Sequence, residues 1–225
     1  MVDRVGFVHT VGFLVDEFRA RMARELPAVD YFHILDESLL QDLLRGRPRG
    51  AVFRRAGAQV LAAADAGADL IVMTCSSTSP AVDVVRPLVN RPILKIDDPM
   101  MAAAAAAGPR VGLLCTASST VEPSTALLRA HAAAQGRSVE VAPRLEVAAY
   151  AALLAGDRAE HDRLVRRAAA EAADASDVIV LAQASLAHLR DELGAALPVP
   201  VLSSPPMLMR ALVERCAAPA GGGAA

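Results

Sequence analysis

Cys75 is the residue best placed by its neighbours to do chemistry. It stands in Thr74-Cys75-Ser76-Ser77-Thr78-Ser79, a run of hydroxyls directly after an apolar stretch. A thiol where a strand gives way to a helix feels the positive end of the helix dipole, which favours the thiolate. Ser76 and Ser77 could donate hydrogen bonds to that thiolate or to a developing enolate, whose oxygens need preorganised donors. The other reading of Cys75 is a small buried side chain, the common state of a free cysteine. Cys115 lies inside its apolar run and reads as packing, and Cys216 sits on the last helix. His9 and Thr10 follow the first apolar run. A histidine there is either a second acid/base, titrating naturally near neutral pH, or a ring bonded to a neighbouring carbonyl. Another polar turn, Thr116-Ala117-Ser118-Ser119-Thr120, closes the list of hydroxyl-rich segments. Thr10, Ser76, Ser77, Thr116, Ser119 and Thr120 are thus the candidate carboxylate-binding donors.

The elements that position these residues alternate in type. Short apolar runs at 5–8, 69–73, 93–96, 111–114, 178–181 and 199–202 read as strands, with weaker ones at 31–35 and 139–141. Helical patterns lie between them at 15–25, 53–66, 124–135, 157–175 and 185–193. Alternation of this kind predicts parallel sheets covered by helices. An internal echo adds detail. Arg4-Val5-Gly6-Phe7-Val8 returns as Arg110-Val111-Gly112-Leu113-Leu114, and Asp69-Leu70-Ile71-Val72-Met73 as Asp177-Val178-Ile179-Val180-Leu181. Pro92-Ile93-Leu94 returns as Pro200-Val201-Leu202, so three strands repeat in order at nearly one offset. We expect an α/β protein of two similar halves, 1–100 and 101–216, with a swap of the N-terminal helix with the second half possible. A Gly/Ala/Pro-rich tail at 217–225 is expected to be disordered. Ligands of parallel sheets sit beyond the carboxyl ends of the strands, where the polar turns fall.

Composition removes several classes of function. Across 225 residues, 54% are hydrophobic, enough for a sizeable core. Aromatics are 3% with no Trp, and the net charge is −2, so neither base stacking nor an electrostatic nucleic-acid or membrane partner is expected. Three cysteines make no disulfide framework, and no C-x-x-C occurs. No two histidines have chelating spacing with a carboxylate, so no metal is expected. Gly6 lies inside a strand rather than in a phosphate-cradling turn, so no nucleotide cofactor is expected either. Without a basic, apolar leader or a membrane-length run, the chain reads as a soluble cytoplasmic protein.

These motifs resemble the aspartate/glutamate racemase superfamily, which includes hydantoin racemases, maleate isomerases and arylmalonate decarboxylases. The features are the Cys-centred turn after the third strand, the Gly-Leu-Leu strand opening the second half, and the polar turn near the end. The resemblance spans 4–206. It implies two pseudosymmetric halves, each a mainly parallel sheet flanked by helices, with the active site between them and no cofactor. It also implies two thiols on opposite faces of a substrate α-carbon. Cys75 matches the first thiol, although Ser76-Ser77 replace the usual Asn-Thr. Gln183 falls at the second, in Leu181-Ala182-Gln183-Ala184-Ser185. An amide does not titrate usefully near neutrality, so one-thiol chemistry is expected. Gln183 is instead a candidate to hydrogen-bond a substrate carboxylate or amide. With Cys75 and His9 as the catalytic candidates, a racemase or isomerase is the first expectation. A one-cysteine lyase like arylmalonate decarboxylase is the second, and a non-catalytic carboxylate-binding protein the third. The substrate would be a small carboxylic or dicarboxylic acid, and the protein a homo-oligomer, dimer or higher.

Overall fold

The computed structural model describes residues 2–217; the tail expected at 217–225 lies, beyond Ala217, outside the described residues. Two compact units divide the chain. The first carries a parallel sheet of β1 (Arg4–His9), β2 (Asp30–Leu35), β3 (Leu70–Met73) and β4 (Ile93–Lys95) in the order β2-β1-β3-β4. Around it run α1 (Phe13–Glu25), α2 (Ser38–Leu44), α3 (Arg49–Asp65) and α4 (Pro80–Val85). The second unit, Asp97–Met207, repeats this with β5 (Arg110–Cys115), β6 (Glu140–Leu145), β7 (Val178–Leu181) and β8 (Val201–Ser203), in the order β6-β5-β7-β8. Its helices are α5 (Asp98–Ala107), α6 (Ser118–Ala134), α7 (Val147–Leu154), α8 (Arg158–Ala173) and α9 (Arg190–Ala196). A last helix, α10 (Ser204–Ala217), starts in the second unit and belongs to the first from Leu208 onward. Conversely α5, which follows β4 in the chain, belongs to the second unit.

The sequence echo is an echo of register. Val5 pairs with Leu70 and Val8 with Met73, as Val111 pairs with Val178 and Leu114 with Leu181. The same acid clamps each strand pair at its start. Asp69 accepts from Arg4 N at 3.1 Å, and Asp177 accepts from Arg110 N at 2.8 Å. Gly6 and Gly112 hold equivalent positions in β1 and β5, each where a neighbouring side chain fills the space of a Cβ. A Cβ on Gly112 would stand 2.6 Å from Ile179 Cδ1 and 2.7 Å from Ser176 Oγ.

Alternation along the strands sorts the two faces of each sheet. In the first unit Val8, Ile71 and Met73 pack with Val52, Ala56 and Val60 of α3. Phe7 goes to the other face and stacks on Phe18 of α1, with ring centroids 5.2 Å apart. In the second unit Val111, Leu113, Val178 and Val180 meet α5 and α6, while Leu114, Ile179 and Leu181 meet α8. The two weakly signalled strands, β2 and β6, are sheet edges with partly exposed side chains. Pro143 is tolerated within β6 because an edge strand has one side free of the ladder.

Candidate functional site

Each sheet reverses its strand order between its two inner strands, which leaves a crevice for ligands at their carboxyl ends. In the first unit this is where β1 and β3 end. Thr74 N donates to Val8 O at 3.0 Å and carries the ladder one residue past β3, so Thr74 and Cys75 keep the strand alternation. Cys75 accordingly packs on the α3 face with Val8 and Met73, at 8% exposure. Its turn is closed by two of the hydroxyls: Ser79 Oγ donates to Ser76 O at 3.0 Å and Thr78 Oγ1 to Cys75 O at 3.5 Å. Ser76 and Ser77 complete the turn and are buried. Helix α4 begins only at Pro80 and has six residues. Cys75 is therefore not in a first helical turn, and the expected dipole effect on its thiol loses its basis, since that effect fades beyond the terminal turn.

His9 behaves differently from expectation. It is the last residue of β1 and points with Phe7 toward α1, stacked on Phe7 at 5.9 Å between centroids. Both ring nitrogens are engaged: Nδ1 lies 2.8 Å from Thr74 Oγ1 and Nε2 lies 2.8 Å from His33 Nδ1. Burial first, and then His33, pulls its pKa down to about 3. Near neutral pH His9 is an uncharged ring on the face opposite Cys75, not a group titrating in the working range. Its neighbour Thr10 is 1% exposed, and its Oγ1 has no hydrogen-bond partner among the described residues. A buried orphan hydroxyl calls for an explanation, and a ligand oxygen would supply one.

In the second unit the corresponding turns are tied together by Gln183. Its Oε1 accepts from Thr116 N at 2.5 Å, Ala117 N at 3.0 Å and Thr116 Oγ1 at 3.1 Å. Ala117 caps α6, a 17-residue helix, so the amide oxygen sits where a helix N-terminus would favour an anionic oxygen. The carbonyl end of Gln183 is thus committed within the protein, and only its Nε2 end fits the expected role toward a substrate. Thr116 and Thr120 are buried and Ser119 is partly exposed in the same turn. Cys115 is fully buried, and burial, with Asp97 adding to it, pushes its thiol up to about 12. It stays protonated and inert at neutral pH.

Two further residues share these surroundings. Ser203 and Ser204, where β8 passes into α10, are buried with hydroxyls that have no partner among the described residues. The Ser203-Ser204-Pro205-Pro206 string, a strand end followed by helix-starting prolines, was the signal for them.

Twin four-stranded parallel sheets, each ending in polar turns at its inner strands, define an α/β protein built by repetition of one half. A family model described as Asp/Glu/hydantoin racemase matches residues 14–212, and the chain belongs to that family. Among solved structures it is similar to the Picrophilus torridus aspartate racemase, with a TM-score of 0.70 and 14% identity over 95% of this chain and 94% of that one. An allantoin racemase from Klebsiella pneumoniae gives 0.66 and 20% over 98% and 91%. The Gly74Cys mutant of arylmalonate decarboxylase, in a sulfate-associated form, gives 0.60 and 21% over 98% and 94%. At these identities the likenesses establish the fold. No curated protein sequence matches the chain. Among the described residues no helix is long and apolar enough to cross a membrane.

Proposed function

We propose that this chain is a cofactor-independent enzyme that moves a proton at a carbon next to a carboxylate, with Cys75 as its acid/base thiol. The observation that carries this reading is the placement of Cys75. It is the second residue beyond an inner strand of a racemase-family sheet, at the crevice end and followed by the buried Ser76 and Ser77. The thiolate removes the α-proton and the electrons pass to the carboxylate as an enolate; in an isomerisation the thiol returns its proton to a neighbouring carbon, and in a racemisation a water molecule supplies the proton from the opposite face while the thiol gives its own to solvent. Thr10, with its orphan hydroxyl, and the Ser76–Ser77 turn are the proposed donors to the substrate oxygens. The turn of Thr116, Ser119 and Thr120 and the amide of Gln183 are the proposed second set. His9 supports Thr74 from the other face and takes no proton in the cycle. The substrate class is a small carboxylic or dicarboxylic acid, the compartment the cytoplasm, and the working form a homo-oligomer.

A second reading is favoured by Gln183. With an amide and no thiol at that position, protonation from one face suits a lyase that releases carbon dioxide and then protonates the enolate stereospecifically. Incubating a panel of small carboxylic, dicarboxylic and malonic acids in D₂O separates the readings. Deuterium at the α-carbon without loss of carbon supports racemisation or isomerisation, and carbon dioxide release with one-sided deuteration supports the lyase. Binding of an acid with neither outcome would leave a carboxylate-binding protein and overturn the catalytic reading.

A further inference from the structure

We infer that His161, Asp162 and His188 form a binding site for a divalent transition-metal ion in the second unit, with zinc the ion whose ligand preferences they meet best. His161 and Asp162 lie on α8, and His188 comes from the short 3₁₀ helix at 184–189 that follows Gln183. Their ligand atoms all lie within 4.8 Å of one another. Asp162 Oδ1 is the hub, 2.8 Å from His161 Nδ1 and 2.8 Å from His188 Nε2.

The hydrogen-bond pattern of His188 points to a cation at this hub. Its Nδ1 faces Ser185 O at 3.0 Å. A carbonyl only accepts, so Nδ1 carries the proton and the Nε2 of a neutral ring turns a lone pair toward the carboxylate oxygen. Two lone pairs at that separation repel. A cation between them removes the repulsion, either a second proton on the ring or a metal ion. A backbone carbonyl that holds one ring N–H and leaves the other nitrogen as ligand is also the usual outer-shell support of a metal-binding histidine. The His161 ring is fully buried, and its Nε2 has no partner among the described residues. With no acceptor at Nε2, the neutral ring carries its proton on Nδ1 and donates it to Asp162 Oδ1, so a metal ion bound at that nitrogen displaces this proton.

Two imidazole nitrogens and one carboxylate oxygen make a zinc-type ligand set, at roughly 2.0–2.2 Å from the ion. A tetrahedral ion at that range spaces its ligands roughly 3.4 Å apart, so the present 2.8 Å separations open by about 0.6 Å to seat it. The nearby Arg166 is taken up by Glu192, at 2.5 and 2.9 Å, and does not compete for Asp162 as a direct partner. His188, with 31% of its side chain exposed, and Asp162, with 15%, give the ion access from solvent and leave a fourth position for water. The residues are close only in the fold, because 26 positions separate Asp162 from His188.

The test uses the full chain, stripped with a chelator, exchanged into chelator-free buffer at pH 7.5 and titrated with zinc ions against a chromophoric competitor. We expect one equivalent to bind, with affinity at least tenfold weaker in His188→Ala and in the near-isosteric Asp162→Asn. Cys75→Ser is expected to bind as the parent does. His188 is partly exposed, so its variant should fold, which circular dichroism checks. Failure of the parent chain to take zinc would mean that a proton alone bridges the pair. Zinc that survives both variants and is lost in Cys75→Ser would belong to the thiol. Either result overturns the site.

Discussion

Gln183 occupies in the second unit the position that Cys75 occupies in the first. Each is the second residue beyond an inner strand, and the residue before each donates its N–H to the neighbouring strand at 3.0 Å, Thr74 to Val8 and Ala182 to Leu114. One half presents a thiol at this point. The other presents an amide whose oxygen fills the donor cradle at the start of α6 in the same unit. The duplication is kept in backbone and register, while the side chain at this point differs between the halves.

Replacing Gln183 with Leu should cost roughly 1–3 kcal/mol of stability, because Thr116 N, Ala117 N and the Thr116 hydroxyl all lose their acceptor. Gln183→Glu keeps an acceptor and should lose less. Denaturant melts of the two variants decide this; equal losses would mean the cradle does not depend on the side-chain oxygen.

The thiols should separate by reactivity. Cys115, fully buried and held near pKa 12, should resist iodoacetamide in the folded protein at pH 8 and react only after unfolding. Cys75 should react in the folded state and be protected by bound substrate. Mass mapping of alkylated peptides reads both; native labelling of Cys115 would contradict its placement.

His9 makes stability depend on pH. Its folded pKa is about 3 against an ordinary 6.5, so below 6.5 the unfolded chain binds a proton that the folded one refuses. Stability is then lost as pH falls from 6.5 toward 3, by up to roughly 1.4 kcal/mol per unit from this group. His33, lowered chiefly by burial, acts in the same direction. Urea melts between pH 7 and pH 4 should show a shallower loss in His9→Gln than in the parent. An identical slope would mean that His9 is not the neutral buried ring described.

Much of the architecture was legible in the sequence because strand burial and strand spelling coincide. Leu70–Met73 and Val178–Leu181 are continuous apolar runs, as strands covered on both faces must be. The repeat of Arg4 and Asp69 in Arg110 and Asp177 was readable for a related reason, since one clamp serves both sheets. Side-chain direction was harder. His9 follows the apolar string Val5–Val8 and reads as a turn residue, yet it remains in β1, and alternation sends it to α1. The partners of Gln183 lie 66 and 67 residues away and left no local mark. The separation of α5 and α10 from their own strands' units is likewise set by packing and not by pattern.

The most direct test is α-proton exchange in D₂O by the parent chain and by Cys75→Ala, on whichever acid of the panel the parent turns over. With Cys75 as the acid/base, exchange should fall by about 10²–10⁴-fold or more while the melting temperature and acid binding persist. Exchange within a few-fold of the parent would contradict the account, for the proton would then be carried by another group.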